Sequence, residues 1–93
     1  MSDVQIIDVR EPDEYEGILG HIPRSHLMPL GNLVESSAAL DKSRPVVTVC
    51  RSGARSAQAT VQLKKAGFSK VANLSGGMLR WRAEGLPVQG LTE

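Results

Sequence analysis

The chain has 93 residues, a net charge of +1 and one cysteine, with 41% hydrophobic and 23% charged residues. This length supports one small domain and is too short for two. The small net charge supplies no strong field for attracting nucleic acid or an anionic membrane, and no apolar run approaches the ~20 residues that cross a bilayer. A single cysteine cannot form an internal disulfide, which favours a reducing, cytoplasmic location.

An apolar run over residues 4–9 predicts a first strand that is buried on both faces. Such a strand must be covered, so we expect either a homodimer formed there or a sheet that holds this strand in its interior. Asp8 interrupts the run, and a buried carboxylate needs hydrogen-bond partners. Residues 10–17 predict a helix of one to two turns, with Pro12 at its first position and Gly17 ending it.

The rest of the chain alternates short strands with helices. The pattern predicts a turn at residues 20–23, a very short strand at 27–28, a helical turn at 30–34 and a second clear strand at 45–49. It then predicts a long helix at 56–66, a third strand at 71–74 and a last helix at 78–84. The long helix has Ala59 and Leu63 on one apolar face, and Gly67 is placed as a left-handed cap. This alternation predicts an α/β fold, with a small parallel β-sheet flanked by helices.

Cys50 is the candidate functional residue. It follows the strand of residues 45–49 at the carboxyl edge of the predicted sheet, where open α/β sheets bind ligands. A tight loop containing Arg51, Gly53 and Arg55 leads from it into the long helix. The N–H groups of such a loop and the helix dipole favour a thiolate, so the sequence predicts a reactive thiol of lowered pKa. The alternative is a small buried core residue, as most lone cysteines are.

Seven short motifs lie along the chain in a distinctive order. They are Asp-Val-Arg-Glu-Pro at 8–12, Glu-Tyr at 14–15, Gly-His-Ile-Pro at 20–23, Cys-Arg-Ser-Gly-Ala-Arg-Ser at 50–56, Gly-Phe at 67–68, Gly-Gly at 76–77 and Trp81. In this order and spacing they closely resemble a single-domain rhodanese of the rhodanese-like sulfurtransferase family. The resemblance implies one rhodanese domain over residues 1–93, without the strand and helix that usually precede the Asp-x-Arg strand in that family.

The resemblance also implies an activity like that of a thiosulfate sulfurtransferase. Cys50 would take sulfane sulfur as a persulfide from a small anionic donor, thiosulfate or a persulfide. A thiol or cyanide, or a protein acceptor such as a thioredoxin-like protein, would then remove it. The residues implied to bind the substrate through their backbone N–H groups are Arg51, Ser52, Gly53, Ala54 and Arg55. With two histidines, one cysteine and no ligand spacing, the sequence predicts no metal site, and we expect no cofactor and no nucleic-acid or membrane partner.

Two other functions are weighed against this one. A cysteine-dependent phosphatase also holds its cysteine in a loop lined by N–H groups and closed by an arginine. The segment between Cys50 and Arg55 is one residue shorter than such a loop, and Val49 stands where those enzymes have histidine. A sulfur-relay or adaptor module serving a protein partner stays open, because the sequence names no acceptor.

Three further polar residues of the motifs are expected to be structural. Asp8 and Arg10 are predicted to brace the domain through hydrogen bonds, since buried carboxylates are normally paired. His21, within the turn of residues 20–23, is predicted to be a hydrogen-bonding residue of that turn rather than a general base.

Overall fold

A four-stranded parallel sheet with helices on both faces organises the computed structural model, which describes residues 3–90. The strands are β1 (Gln5–Asp8), β2 (His26–Leu27), β3 (Val46–Val49) and β4 (Val71–Asn73). The helices are α1 (Pro12–Tyr15), α2 (Leu33–Ser36), α3 (Ala54–Lys65) and α4 (Gly77–Ala83), and 3₁₀ turns at Leu30–Asn32 and Ser37–Ala39 flank α2. Within residues 3–90, no helix has the length and apolar character needed to cross a membrane.

Strand β1 lies in the interior of the sheet, whose order is β2-β1-β3-β4. Asp8 is in register with Leu27 of β2 and with Val49 of β3. Alternate side chains of β1 enter two separate apolar clusters, with Ile7 in one and Ile6 against the other. Both faces of β1 are therefore covered within one chain, as in the second of the two expected arrangements, and burying this strand does not require a dimer.

Helix α3 begins two residues earlier than the sequence predicted, at Ala54 instead of Ser56. The reason is Gly53, whose φ of 113° turns the chain within a single residue, a conformation that L side chains rarely adopt. At the other end, Gly67 has φ 105°, and the Phe68 N–H donates to the Leu63 carbonyl at 3.0 Å. This is the left-handed cap that the sequence predicted.

A buried ion pair closes the end of β1. Arg10 Nη2 lies 2.8 Å from Asp8 Oδ2, and the two side chains are 1% and 0% exposed. Arg10 also donates to the Gly20 carbonyl at 2.8 Å and to the Glu14 carbonyl at 3.2 Å. The pair thus joins β1 to α1 and to the turn at residues 20–23, which confirms that Asp8 and Arg10 brace the domain.

His21 also has the structural role that was predicted for it. Its ring stacks on Tyr15 with a centroid separation of 3.7 Å, and its Nδ1 lies 2.9 Å from the Tyr15 carbonyl oxygen. Its backbone pairs with Gln89 in an antiparallel bridge. These contacts fix the turn that receives the Arg10 side chain.

Candidate active site

Cys50 directly follows β3 at the carboxyl edge of the sheet, where the sequence predicted a ligand site. Cys50 is 1% exposed and belongs to the apolar cluster that includes Ile7 and Leu63. The burial is that of the core residue named as the alternative, whereas the reactivity of the thiol stays a prediction. Cys50 is packed like a core residue, yet its sulfur atom faces hydrogen-bond donors.

Hydrogen-bond donors of the loop and of the first turn of α3 surround the sulfur of Cys50, and two of them lie within 3.3 Å. The Gly53 N–H donates to Sγ at 3.0 Å, and the Ser56 hydroxyl lies 3.3 Å from the same atom. Both donors depend on the early start of α3, because the positive φ of Gly53 brings the first helical turn back over the cysteine. The sulfur therefore lies beside the N-terminal end of α3, where the helix dipole favours negative charge.

Helix α4 holds the carbonyl groups of the cysteine loop. The Met78 N–H donates to the Cys50 carbonyl at 2.9 Å, and the Leu79 N–H donates to the Arg51 carbonyl at 3.0 Å. In a trans peptide the C=O and the following N–H point in opposite directions, so the next two N–H groups of the loop point away from α4. This close approach requires Gly77, where a Cβ would lie 2.6 Å from the Arg51 carbonyl oxygen.

The surroundings of Cys50 have opposing effects on its pKa. Burial raises the pKa of the thiol, because it disfavours the charged form. Hydrogen bonds from the Ser56 hydroxyl and from the N–H groups of Ser56, Gly53 and Ser52 lower it by more. The net result is a pKa below the ordinary value for cysteine, in the direction that the sequence predicted.

The residues predicted to bind the substrate take different positions. Arg51 and Ser52 are exposed, Gly53 donates its N–H to the sulfur, and Ala54 and Arg55 form the start of α3. The Arg55 side chain donates to both carboxylate oxygens of Glu14 on α1, at 2.7 and 2.8 Å, so its positive charge is paired.

Two polar residues of the site were missing from the sequence prediction. Ser56 was interpreted as the first residue of the helix, yet its hydroxyl faces the sulfur and also contacts Asn73 Oδ1. Asn73 Nδ2 donates to the Gly53 carbonyl at 3.2 Å, so β4 supports the loop from the side. A hydroxyl six residues after the cysteine was a usable signal for Ser56. The role of Asn73 depends on its register with Thr48, which the sequence does not state.

A cleft of 180 Å³ lies beside the cysteine loop. Helix α1 and residues 17–19 form one side of it, and Arg51 forms the other. Its lining residues are Arg10, Asp13, Glu14, Gly17, Ile18, Leu19 and Arg51. We call this the mouth cleft. The exposed Asp13, the ion-paired Glu14 and the exposed Arg51 all contribute to its wall, so the charge of the cleft depends on these acidic groups and on how the arginines are paired.

Comparison with known proteins assigns the family. The model of the rhodanese-like domain matches residues 1–84. A sulfurtransferase of Allochromatium vinosum is 40% identical over 87 residues, which cover 94% of this chain and 79% of that protein. The chain belongs to the rhodanese-like family, as its motifs implied. Membership of this family and the similarity to a sulfurtransferase support sulfur transfer in general as its activity.

Two further matches show the range of the similarity. The crystal structure of the Alr3790 protein from Anabaena sp. has a TM-score of 0.89 and 33% identity, covering 100% of this chain and 82% of that chain. The Mycobacterium tuberculosis protein named "Probable adenylyltransferase/sulfurtransferase MoeZ" is 40% identical over 84 residues. The match covers 88% of this chain but 21% of that protein, so a domain similar to this one also occurs within larger proteins.

Proposed function

We propose that this protein is a sulfurtransferase that carries sulfane sulfur on Cys50 as a persulfide. The donor is thiosulfate or another small sulfane compound, and the acceptor is a thiol or cyanide. The observation that supports this proposal is the pair of donors on the Cys50 sulfur, the Gly53 N–H at 3.0 Å and the Ser56 hydroxyl at 3.3 Å. A buried thiol with this arrangement is a nucleophile whose charged form is stabilised in advance.

The reaction has two half-reactions. In the first, the Cys50 thiolate attacks the outer sulfur of the donor, a new S–S bond forms, and the donor's own S–S bond breaks. The donor's electron pair leaves with its remaining part, which is sulfite in the case of thiosulfate. In the second, the acceptor attacks the outer sulfur of the persulfide, and the Cys50 thiolate leaves. The loop N–H groups balance the negative charge in both half-reactions without moving a proton.

The structure gives an additional argument against a phosphatase. In such an enzyme the arginine at the end of the loop must direct its guanidinium at the bound phosphate. Here the guanidinium of Arg55 is held by Glu14 in a two-point ion pair. The short loop and this pairing together favour a sulfur atom over a phosphate as the group that is bound.

Mass spectrometry tests the proposal. Intact protein treated with thiosulfate should gain the mass of one sulfur atom, and a thiol reductant should remove it. The Cys50→Ala variant should gain nothing, because it lacks the thiolate that forms the new bond. An equal gain by the variant, or no gain by the native chain with any sulfane donor, would refute the proposal.

A sulfur relay for one protein partner is the alternative, and the larger relative of which the chain covers 21% supports it. Turnover separates the two functions. An enzyme should convert many equivalents of donor and cyanide to thiocyanate. A relay should accept one sulfur on Cys50 and keep it until its own protein acceptor is added.

A further inference from the structure

The ion pair between Glu14 and Arg55 joins α1 to the start of α3 beside the cysteine loop. Its two hydrogen bonds measure 2.7 and 2.8 Å, and the side chains are 27% and 36% exposed. Glu14 is also fixed from its own helix, because Glu14 Oε1 accepts the Glu11 N–H at 3.1 Å. Arg55 lowers the pKa of Glu14 to about 2, so the carboxylate is charged at neutral pH.

This pair changes the charge that a donor meets. Arg55 immediately precedes Ser56, whose hydroxyl contacts the Cys50 sulfur, and Glu14 and Arg51 line the mouth cleft. Arg51 is exposed and forms no ion pair with any residue in the range 3–90. Arg51 therefore contributes its full positive charge to the entrance, whereas the charge of Arg55 is balanced by Glu14.

The charge matters differently for different sulfane donors. Thiosulfate is a dianion, and its reaction with the thiolate gives the persulfide anion and sulfite, with a total charge of −3 on each side. An alkyl thiosulfonate, R–SO₂–S⁻, is a monoanion that reacts in the same way to give the persulfide anion and a sulfinate, with a total of −2. The dianion requires more compensation from nearby cations, because Coulomb energy grows with the product of the charges.

We propose that Glu14 is a specificity-determining residue that balances Arg55 and so favours sulfane donors of low negative charge over dianionic thiosulfate. This inference rests on the proposed sulfur transfer and names the donor class for the same site. Glu14 does not touch the reacting atoms. It acts through the net charge of the pair that it forms with Arg55.

A charge series tests the inference. The native pair has a net charge of zero, Glu14→Gln gives +1, Arg55→Gln gives −1, and the double variant returns to zero. The measured quantity is the ratio of kcat/KM for thiosulfate to kcat/KM for methanethiosulfonate, with cyanide as acceptor and thiocyanate as product. Because both donors use the same thiolate, a change in its reactivity largely cancels in the ratio.

The expected order of this ratio is E14Q above the native protein, the native protein close to the double variant, and R55Q lowest. Each single step should be about three- to tenfold at low ionic strength, the size expected for one charge acting across several ångströms of largely aqueous surroundings. Added salt should compress the series. Glu84→Gln is the matched control, because it breaks the exposed pair with Arg80 at the end of α4 and should leave the ratio unchanged.

Several results would overturn the inference. They are an unchanged ratio in E14Q, a shift of both single variants in the same direction, or an equal shift in the Glu84→Gln control. If one single variant does not fold, the other still decides, because each has its own predicted direction. The activity of the native protein distinguishes the two proposals. If it transfers sulfur from either donor but the ratio does not follow the predicted order in the variants, only the role of Glu14 is refuted. No transfer from any sulfane donor removes both.

Discussion

The carboxyl ends of β1 and β3 lie side by side, since Asp8 and Val49 are in register, yet they handle a buried acidic group in opposite ways. At the end of β1, the carboxylate of Asp8 meets the full positive charge of Arg10, which is itself buried. At the end of β3, the sulfur of Cys50 meets an N–H group and a hydroxyl, which carry only partial charges. The first arrangement is a brace and the second is a candidate reaction site.

The difference shows that a buried negative group matched by a full positive charge serves the structure, whereas one stabilised only by partial charges can react. A buried carboxylate matched by a complete countercharge is held firmly, and this pair also binds backbone carbonyls of two neighbouring segments. A thiolate stabilised by dipoles is populated but keeps its electron pair available for attack. Consistent with this division, Arg51 is exposed and Arg55 is paired with Glu14, so neither arginine is among the hydrogen-bond donors to the sulfur.

The largest effect should come from breaking the brace. Arg10→Ala leaves the buried Asp8 carboxylate without its countercharge, and we expect the free energy of unfolding to fall by about 3–5 kcal/mol. This is a large part of the stability of a small domain, and urea denaturation would measure it. The control is Arg80→Ala, which removes an exposed pair and should cost less than about 1 kcal/mol. Equal losses in the two variants would show that the Asp8–Arg10 pair is not the brace described above.

An intermediate effect should come from weakening the dipoles around the sulfur. Ser56→Ala removes one of the donors that lower the pKa of Cys50, so the pKa should rise. At pH values below the thiol pKa, fewer molecules then carry a thiolate, and the sulfur-transfer rate should fall by roughly ten- to hundredfold, as for a lost hydrogen bond to a charged group. The loss should shrink as the pH rises above the new pKa, where both proteins are ionised.

Alkylation of Cys50 by iodoacetamide as a function of pH would report this shift. Ser52→Ala is the matched control, because Ser52 lies in the same loop with an exposed side chain and keeps its backbone N–H in the variant. If Ser56→Ala left the alkylation midpoint where it is in the native chain, the hydroxyl would not be one of the groups that stabilise the thiolate.

The two strand ends were not equally predictable from the sequence. The brace is local, because Asp8 and Arg10 are two residues apart, and the rule that a buried carboxylate needs a partner identified it. The position of Cys50 after a strand and before a helix was also visible, because the motif and the alternation of elements are local patterns. The burial of β1 on both faces was predictable from its apolar run, which is also a local pattern, and the two clusters on either side of the strand confirm it.

What the sequence could not show depends on contacts between distant segments. Glu14 and Arg55 are separated by 41 residues, and their pairing requires α1 to lie beside the start of α3. Asn73 reaches the loop because β4 pairs with β3 in one register. The start of α3 was misplaced because the left-handed turn at Gly53 was not inferred. For the same reason, Ser56 was not recognised as a residue of the site.

The smallest effect should come from Arg51, which is exposed and forms no ion pair within residues 3–90. Arg51→Ala removes an exposed charge at the wall of the mouth cleft, so it should weaken the capture of an anionic donor without changing the dipoles on the sulfur. We expect KM for thiosulfate to rise about two- to fivefold at low ionic strength, with kcat nearly unchanged, and the difference to fade as salt screens the charge. Steady-state kinetics at several salt concentrations would measure it. Lys64→Ala, which removes one positive charge from the last turn of α3, is the control and should leave KM unchanged. A fall in kcat that salt does not alter would mean that Arg51 shapes the loop around the sulfur, and the separation of donor capture from thiolate stabilisation would then fail at this residue.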